Sequence, residues 1–142
     1  MDDRELFATK KVINKNARIL EVGPLNRPIF RKDEYSNCFY CDIRSTEQIK
    51  QMYLQNDYLE TTGIKIDTNF IVDIDYVLKD SYKETFASEE KFDFVVMSHV
   101  MEHVDDILYV LQDISSILKK NASLIIVYPD KRYCFDHFRQ EA

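Results

Sequence analysis

The stretch that decides the fold is Arg18-Ile-Leu-Glu-Val22, followed at once by Gly23-Pro-Leu-Asn-Arg-Pro28. A short apolar run stopped by a Gly-Pro pair predicts a buried strand that ends in a turn. A glycine directly after a first strand lets a ligand approach the backbone closely. Glu21 precedes this glycine by two residues, and its carboxylate could meet a ligand ammonium group.

The rest of the chain predicts further strands and helices in alternation. The predicted strands are 37–41, 69–78, 92–97 and 123–128, and the predicted helices are 3–13, 45–54 and one from Asp105 or Asp106 to Lys119 and Lys120. Strands without polar alternation, separated by helices, are typical of a parallel sheet covered on both faces. We therefore predict an α/β domain with a doubly wound sheet, whose ligands bind at the carboxyl ends of the strands.

Polar residues stand at these predicted strand ends. Asp42 follows Gly23 by 19 residues, a spacing that fits the acid that holds ribose hydroxyls in nucleotide-binding folds. Asp80 closes the third predicted strand, near where an adenine would lie. The loop after the first strand has one glycine instead of the three that cradle a pyrophosphate. This favours a ligand without a pyrophosphate, such as S-adenosylmethionine, over a nicotinamide cofactor.

Composition and charge disfavour a nucleic-acid partner, a membrane-spanning helix and a signal peptide. The 142 residues carry a net charge of −6, so the overall field does not attract a nucleic acid. No run approaches the roughly 20 apolar residues that a membrane helix needs. The acidic N-terminus lacks the apolar run of a signal peptide, so we expect a cytoplasmic protein.

The cysteine and histidine spacings indicate neither a metal nor a redox centre. Cys38 and Cys41 have the spacing of a zinc or redox pair, but they lie in a predicted strand, where residues three apart point to opposite faces. We therefore expect ordinary packing for both. His99 and His103 are four residues apart, yet the glutamate between them is misplaced for a zinc protease motif. We predict no metal.

Three segments together resemble class I S-adenosylmethionine-dependent methyltransferases. They are Ile19-Leu-Glu-Val-Gly-Pro-Leu-Asn-Arg-Pro28, Phe92-Asp-Phe-Val-Val-Met-Ser-His-Val-Met-Glu-His-Val104 and Tyr128-Pro-Asp-Lys-Arg-Tyr-Cys-Phe-Asp136. The last two resemble the SHVxEHV and PDKRYxFD segments of a bacterial subgroup often found near glycosyltransferases. The resemblance covers about residues 17–139.

The resemblance implies a fold and a domain organisation. It implies a Rossmann-like three-layer sandwich with a mostly parallel sheet in the order 3-2-1-4-5. Because the sequence ends soon after the fifth predicted strand, we expect strands 6 and 7 of that fold to be lacking. We accordingly expect residues 1–142 to be a single, truncated cofactor-binding domain, and a homo-oligomer could cover the sheet edge. Asn121-Ala122 replaces the glycines usual before the fifth strand.

The resemblance also assigns roles to residues. It implies S-adenosylmethionine as cofactor, with S-adenosylhomocysteine as product, and a small-molecule or saccharide acceptor. The cofactor-binding residues would be Glu21, Gly23 and Pro24 at the methionine end, Asp42 and Ile43 at the ribose, Asp80 and Ser81 along the adenine, and Ser98 beneath the methionine.

Two further roles concern the reaction itself. His99 is our candidate for the catalytic base, because it follows a strand end and has a suitable intrinsic pKa. The alternative is that His99 caps the next helix. Asp130, Arg132 and Tyr133 could bind an acidic or sugar substrate, or could instead order the C-terminal loop.

Two other functions stay open at this point. A non-catalytic, degenerate methyltransferase-like domain that serves as a scaffold is favoured by the single glycine and the short chain. Retention of Glu21, Gly23 and Asp42 opposes it. A nicotinamide oxidoreductase is the weaker alternative, because the chain lacks a Gly-x-Gly-x-x-Gly motif.

Overall fold

The computed structural model describes residues 3–55 and 66–128. Its helices and strands alternate along the described residues, except that β2 follows β1 directly, and two short 3₁₀ turns lie between them. In order they are α1 (Asp3–Lys11), β1 (Ile19–Val22), β2 (Cys38–Asp42), α2 (Thr46–Gln55), the turn Thr68–Phe70, β3 (Tyr76–Val77), α3 (Tyr82–Thr85), β4 (Phe92–Ser98), the turn Met101–His103, α4 (Ile107–Ile117) and β5 (Leu118–Val127).

The strands form one five-stranded parallel sheet in the order β3-β2-β1-β4-β5. The chain therefore builds outward from β1 in one direction through β2 and β3, then returns to the other side of β1 for β4 and β5. The point of reversal lies between β1 and β4, which is where a doubly wound sheet leaves a crevice at its carboxyl edge. The predicted Rossmann-like fold and strand order are confirmed.

Both faces of the sheet are covered by apolar clusters. Ile19 belongs to the cluster beneath α1 and the loop after β1, whereas its neighbour Leu20 belongs to the cluster beneath α3 and α4. The two β2 cysteines divide in the same way, Cys38 into the α1-side cluster and Cys41 into the α4-side cluster. They face opposite sides of the sheet, as the spacing predicts, and burial raises the pKa of both thiols.

Side-chain caps fix where α2 and α4 begin. Ser45 Oγ accepts a hydrogen bond from the Gln48 amide at 3.3 Å, and Gln48 Oε1 accepts one from the Ser45 amide at 2.9 Å. This reciprocal pair is a capping box for α2. Asp106 Oδ1 accepts from the Tyr109 amide at 2.9 Å, so Asp106, of the two predicted candidates, caps α4.

The prediction of a long third strand over 69–78 is wrong. The segment begins with a 3₁₀ turn, and only Tyr76–Val77 pairs as a strand. Side chains have taken over backbone hydrogen bonds along this edge: Asp75 Oδ2 accepts from the Tyr40 amide at 2.7 Å, and Thr46 Oγ1 accepts from the Ile74 amide at 2.9 Å. A segment held by such contacts does not need a continuous ladder.

The predicted end of the last helix at Lys119 and Lys120 is also wrong. α4 stops at Ile117, and the two lysines lie in β5, where Lys119 Nζ contacts Asp93 at 3.2 Å. The register of β5 on β4 shifts between the partners of Phe92 and Phe94. Asn121, at φ 66, takes the left-handed conformation within this irregularity. Asparagine tolerates that region better than most residues, which explains how it replaces a glycine here.

Candidate functional site

Three predicted site residues form a row across the carboxyl edge of the sheet. The register pairs Glu21 with Tyr40 of β2 and with Val96 of β4. Extended by one residue beyond Val22, this register sets Gly23 between Asp42 and Ser98 at the carboxyl edge of the sheet. The Gly23 amide donates to the Cys41 carbonyl at 2.9 Å, so the pairing continues up to the glycine. Gly23 itself places no side chain between the carboxylate and the hydroxyl.

Two independent constraints require glycine at position 23. Its φ is +67°, in the left-handed region, and a Cβ built on it would lie 2.9 Å from Val100 Cγ2. Any other residue would meet both backbone strain and a steric contact. The sequence indicates this glycine through its place after a strand. It gives no signal for Val100, which comes from the connection after β4.

Glu21 is fully buried, and the loop after β1 takes up its carboxylate. Its exposed fraction is 1%, and its oxygens accept from the amides of Ile29 at 2.8 Å and Phe30 at 2.9 Å. Burial raises the pKa of Glu21 to about 7, although the two amides oppose this rise. Glu21 therefore fixes the path of residues 24–30. Its contact with a ligand ammonium group stays a prediction.

The same loop contains a second left-handed residue. Leu25 has φ 49, and its carbonyl accepts from the Val72 amide at 2.9 Å. A leucine in this region costs about 1–2 kcal/mol, and such strain persists only where surrounding contacts hold it. Pro24, one residue earlier, is buried. The loop takes a strained path without the extra glycines of a pyrophosphate-binding turn.

Asp42 and Ile43 close β2 with a half-buried acid and an exposed apolar side chain. Asp42 Oδ1 accepts from the Arg44 amide at 3.2 Å, and burial raises the pKa of the carboxyl group. The Ile43 side chain is 63% exposed. An acid beside an uncovered apolar surface suits a ribose with an attached base, because each side chain matches one part of that ligand.

Asp80 and Ser81 lie where β3 gives way to α3. Asp80 is exposed, whereas Ser81 Oγ accepts from the Glu84 amide at 3.0 Å and caps α3. The buried Asp113 of α4 accepts from the next amides, those of Tyr82 and Lys83. Ser81 therefore has a local structural role, and Asp113 is a positioning group that the sequence reading did not identify. Its only sequence signal is an acid on the apolar face of a helix.

Ser98 and His99 end β4 with an unsatisfied hydroxyl and a strained backbone. Ser98 is 7% exposed, and its Oγ has no hydrogen-bond partner within residues 3–55 and 66–128. A buried hydroxyl without a partner is unfavourable unless a ligand or water supplies one. His99 has φ 56, and its amide donates to the Val127 carbonyl at 3.0 Å. The His99 side chain is 52% exposed, and its Nδ1 lies 3.5 Å from Glu102 Oε1.

Some sequence expectations fall outside what the structure describes. Asp130, Arg132 and Tyr133, the candidate substrate residues, lie in the undescribed range 129–142. Within the described ranges, no group of three or more histidine, cysteine, aspartate or glutamate side chains could hold a metal ion. No helix among the described residues is long and apolar enough to cross a membrane.

The sheet order, the point where it reverses between β1 and β4, and Gly23 at the carboxyl end of β1 define a Rossmann-like domain of the methyltransferase type. A family model described as a methyltransferase domain matches residues 1–141. The chain therefore belongs to this methyltransferase family, and the resemblance to class I methyltransferases is confirmed. A search of curated protein sequences finds no match.

A solved structure has the same fold at low sequence identity. Coclaurine N-methyltransferase, bound to N-methylheliamine and S-adenosylhomocysteine, is 15% identical, with a TM-score of 0.53 over 87% of this chain and 33% of that chain. The fibrillarin–Nop5p complex is 12% identical, with a TM-score of 0.48 over 80% of this chain and 50% of that chain. This chain thus spans at most about half the length of either.

Proposed function

We propose that this chain binds S-adenosylmethionine at the carboxyl edge of β1, β2 and β4 and transfers its methyl group to a small-molecule or saccharide acceptor. The observation that carries the proposal is the row Asp42, Gly23 and Ser98. It combines an acid, a glycine and a buried hydroxyl that has no hydrogen-bond partner among the described residues. The coclaurine enzyme, which has the same fold, is bound to S-adenosylhomocysteine.

Each residue of the row matches a part of the cofactor. Asp42 accepts hydrogen bonds from the ribose hydroxyls, and Ile43 packs against the base with its exposed side chain. The methionine end lies against the backbone of Gly23, and it supplies a hydrogen-bond partner to Ser98 Oγ, which has none in the part of the chain that the structure describes. Glu21 acts indirectly: its carboxylate accepts hydrogen bonds from the amides of Ile29 and Phe30 and so holds the loop of residues 24–30 in place.

The bound cofactor supplies an electrophilic methyl group on a sulfonium, so the protein has to provide orientation and a dry site. An acceptor oxygen or nitrogen also needs a place for its proton. His99 follows the strand that carries Ser98, and its ring is half exposed at the same edge. We assign it the role of proton acceptor.

The proposed acceptor class rests on charge and resemblance. A net charge of −6 disfavours a polyanionic acceptor such as RNA. The sequence resembles a subgroup often found near glycosyltransferases, which favours a saccharide among small acceptors. We propose that Asp80 and Ser81 border the adenine and that Asp130, Arg132 and Tyr133 contact the acceptor.

Calorimetric titration with S-adenosylhomocysteine tests the cofactor assignment. We expect the parent chain to bind and Asp42→Ala to bind about 10- to 100-fold more weakly, the range for a hydrogen bond to a charged group. Asp73→Ala is the matched control, because Asp73 is an exposed aspartate outside the row. It should bind like the parent.

The same titration separates the competing functions. NADH binding without S-adenosylhomocysteine binding would favour an oxidoreductase. Failure of the parent chain to bind either ligand would favour a non-catalytic domain. Equal binding by the parent and Asp42→Ala would refute the assignment of Asp42 to the ribose.

A further inference from the structure

The connection after β4 brings a carboxylate to the imidazole of His99. Glu102 lies in the 3₁₀ turn Met101–His103, and its Oε1 is 3.5 Å from His99 Nδ1. The Glu102 side chain is 23% exposed against 52% for His99. The Glu102 side chain is therefore the less exposed member of the pair.

The backbone on both sides of this pair is fixed. The His99 amide donates to the Val127 carbonyl at 3.0 Å, which ties the residue to the end of β5. The turn that carries Glu102 is held by the bond from the His103 amide to the Val100 carbonyl at 3.0 Å, and Met101 anchors it in the core at 2% exposure. The positions of the two backbone segments that carry this pair are thus set by the fold.

We propose that Glu102 is a positioning residue that holds His99 as the Nδ1–H tautomer and leaves Nε2 free to accept a proton. A partner on one ring nitrogen determines which nitrogen carries the proton, and a carboxylate beside Nδ1 favours protonation there. The Nδ1–Oε1 distance of 3.5 Å is longer than an ideal hydrogen bond.

The inference rests on the proposed methyl transfer and completes its proton path. As the acceptor atom bonds to the methyl carbon, the sulfur–methyl bond breaks and its electron pair stays on sulfur. The acceptor's proton moves to Nε2 of His99, and solvent receives it after the product leaves.

Nitrogen-15 NMR tests the tautomer directly. Long-range proton–nitrogen correlation spectra of the labelled full chain, recorded in alkaline buffer where imidazole is neutral, distinguish Nδ1–H from Nε2–H. The chain has three histidines, so His99→Gln identifies the relevant signals. We expect Nδ1–H to be the major form in the parent and the minor form in Glu102→Ala.

Two variants separate positioning from a structural effect. Glu102→Gln keeps an acceptor oxygen, so it should retain Nδ1–H as the major form. Asp105→Ala removes an exposed acid from the same connection and should leave the tautomer unchanged. An Nε2–H form in the parent, or an unchanged tautomer in Glu102→Ala, would overturn the positioning role.

A parallel titration with S-adenosylhomocysteine keeps this inference distinguishable from the proposed function. Glu102→Ala should bind the ligand like the parent, because Glu102 lies outside the row of Asp42, Gly23 and Ser98. Absence of binding by the parent refutes the cofactor assignment, whereas an altered tautomer with intact binding supports the positioning role.

Discussion

The protonation of Glu21 should make folding stability fall as pH rises. Burial raises the pKa of Glu21 from 4.5 to about 7, so the folded chain holds a proton that the unfolded chain releases. Between these values the folded state binds more protons, and linkage then lowers stability with increasing pH. The contribution is present in full below pH 4.5 and is lost as pH rises through about 7. At about 1.4 kcal/mol per pKa unit, the loss amounts to about 3 kcal/mol.

Urea unfolding followed by circular dichroism between about pH 4 and pH 8 measures this effect. We expect the free energy of unfolding of the parent to fall by about 3 kcal/mol more over this range than that of Glu21→Gln, whose side chain does not titrate. Glu84→Gln is the control, because Glu84 is an exposed glutamate, and it should keep the pH dependence of the parent.

The comparison between variants isolates Glu21 from other carboxylates. Asp42 also has a raised pKa and so contributes in the same direction, but it is unchanged in both variants. Parallel curves for the parent and Glu21→Gln would refute the reasoning, because they would mean that Glu21 titrates alike in the folded and unfolded chains.

Three further tests use the same unfolding assay on residues that shape the strand ends and the helix starts around the site. Gly23→Ala should lose about 1–2 kcal/mol through its left-handed backbone alone, and adding Val100→Ala should recover only the steric part; complete recovery would contradict the backbone argument. Asp106→Ala should lose about 1 kcal/mol with the cap of α4, whereas Asp105→Ala should lose almost nothing; equal losses would refute the cap assignment. Asp113→Ala should lose about 1–3 kcal/mol, because two amides of α3 lose their partner; a neutral result would show that water replaces the carboxylate.

Local patterns in the sequence predicted most of the sheet. β1, β2 and β4 lie within one residue of their predicted bounds, because a buried parallel strand is a short apolar run that polar or turn residues end. The capped start of α4 and the opposite faces of Cys38 and Cys41 followed from periodicity. The strand ends then named Asp42, Gly23 and Ser98 as candidates.

Long-range contacts decided what the sequence patterns missed. β3 is short because Asp75 bonds to Tyr40, 35 residues earlier in the chain. α4 ends early because the chain turns into β5, where Lys119 reaches Asp93, 26 residues away. Secondary-structure propensity depends only on residues that are close in the sequence, so it could predict neither the short β3 nor the early end of α4.

The features of the candidate site also divide into those that the sequence determines and those that only the tertiary structure decides. The sequence by itself determined which residue types stand at the strand ends, because composition and strand period are local properties. Only the tertiary structure decided that loop amides take up the Glu21 carboxylate, that Ser98 Oγ has no hydrogen-bond partner among residues 3–55 and 66–128, and that Glu102 lies beside His99. These depend on distances between segments, and such distances are set when the strands pair and the connections pack against them.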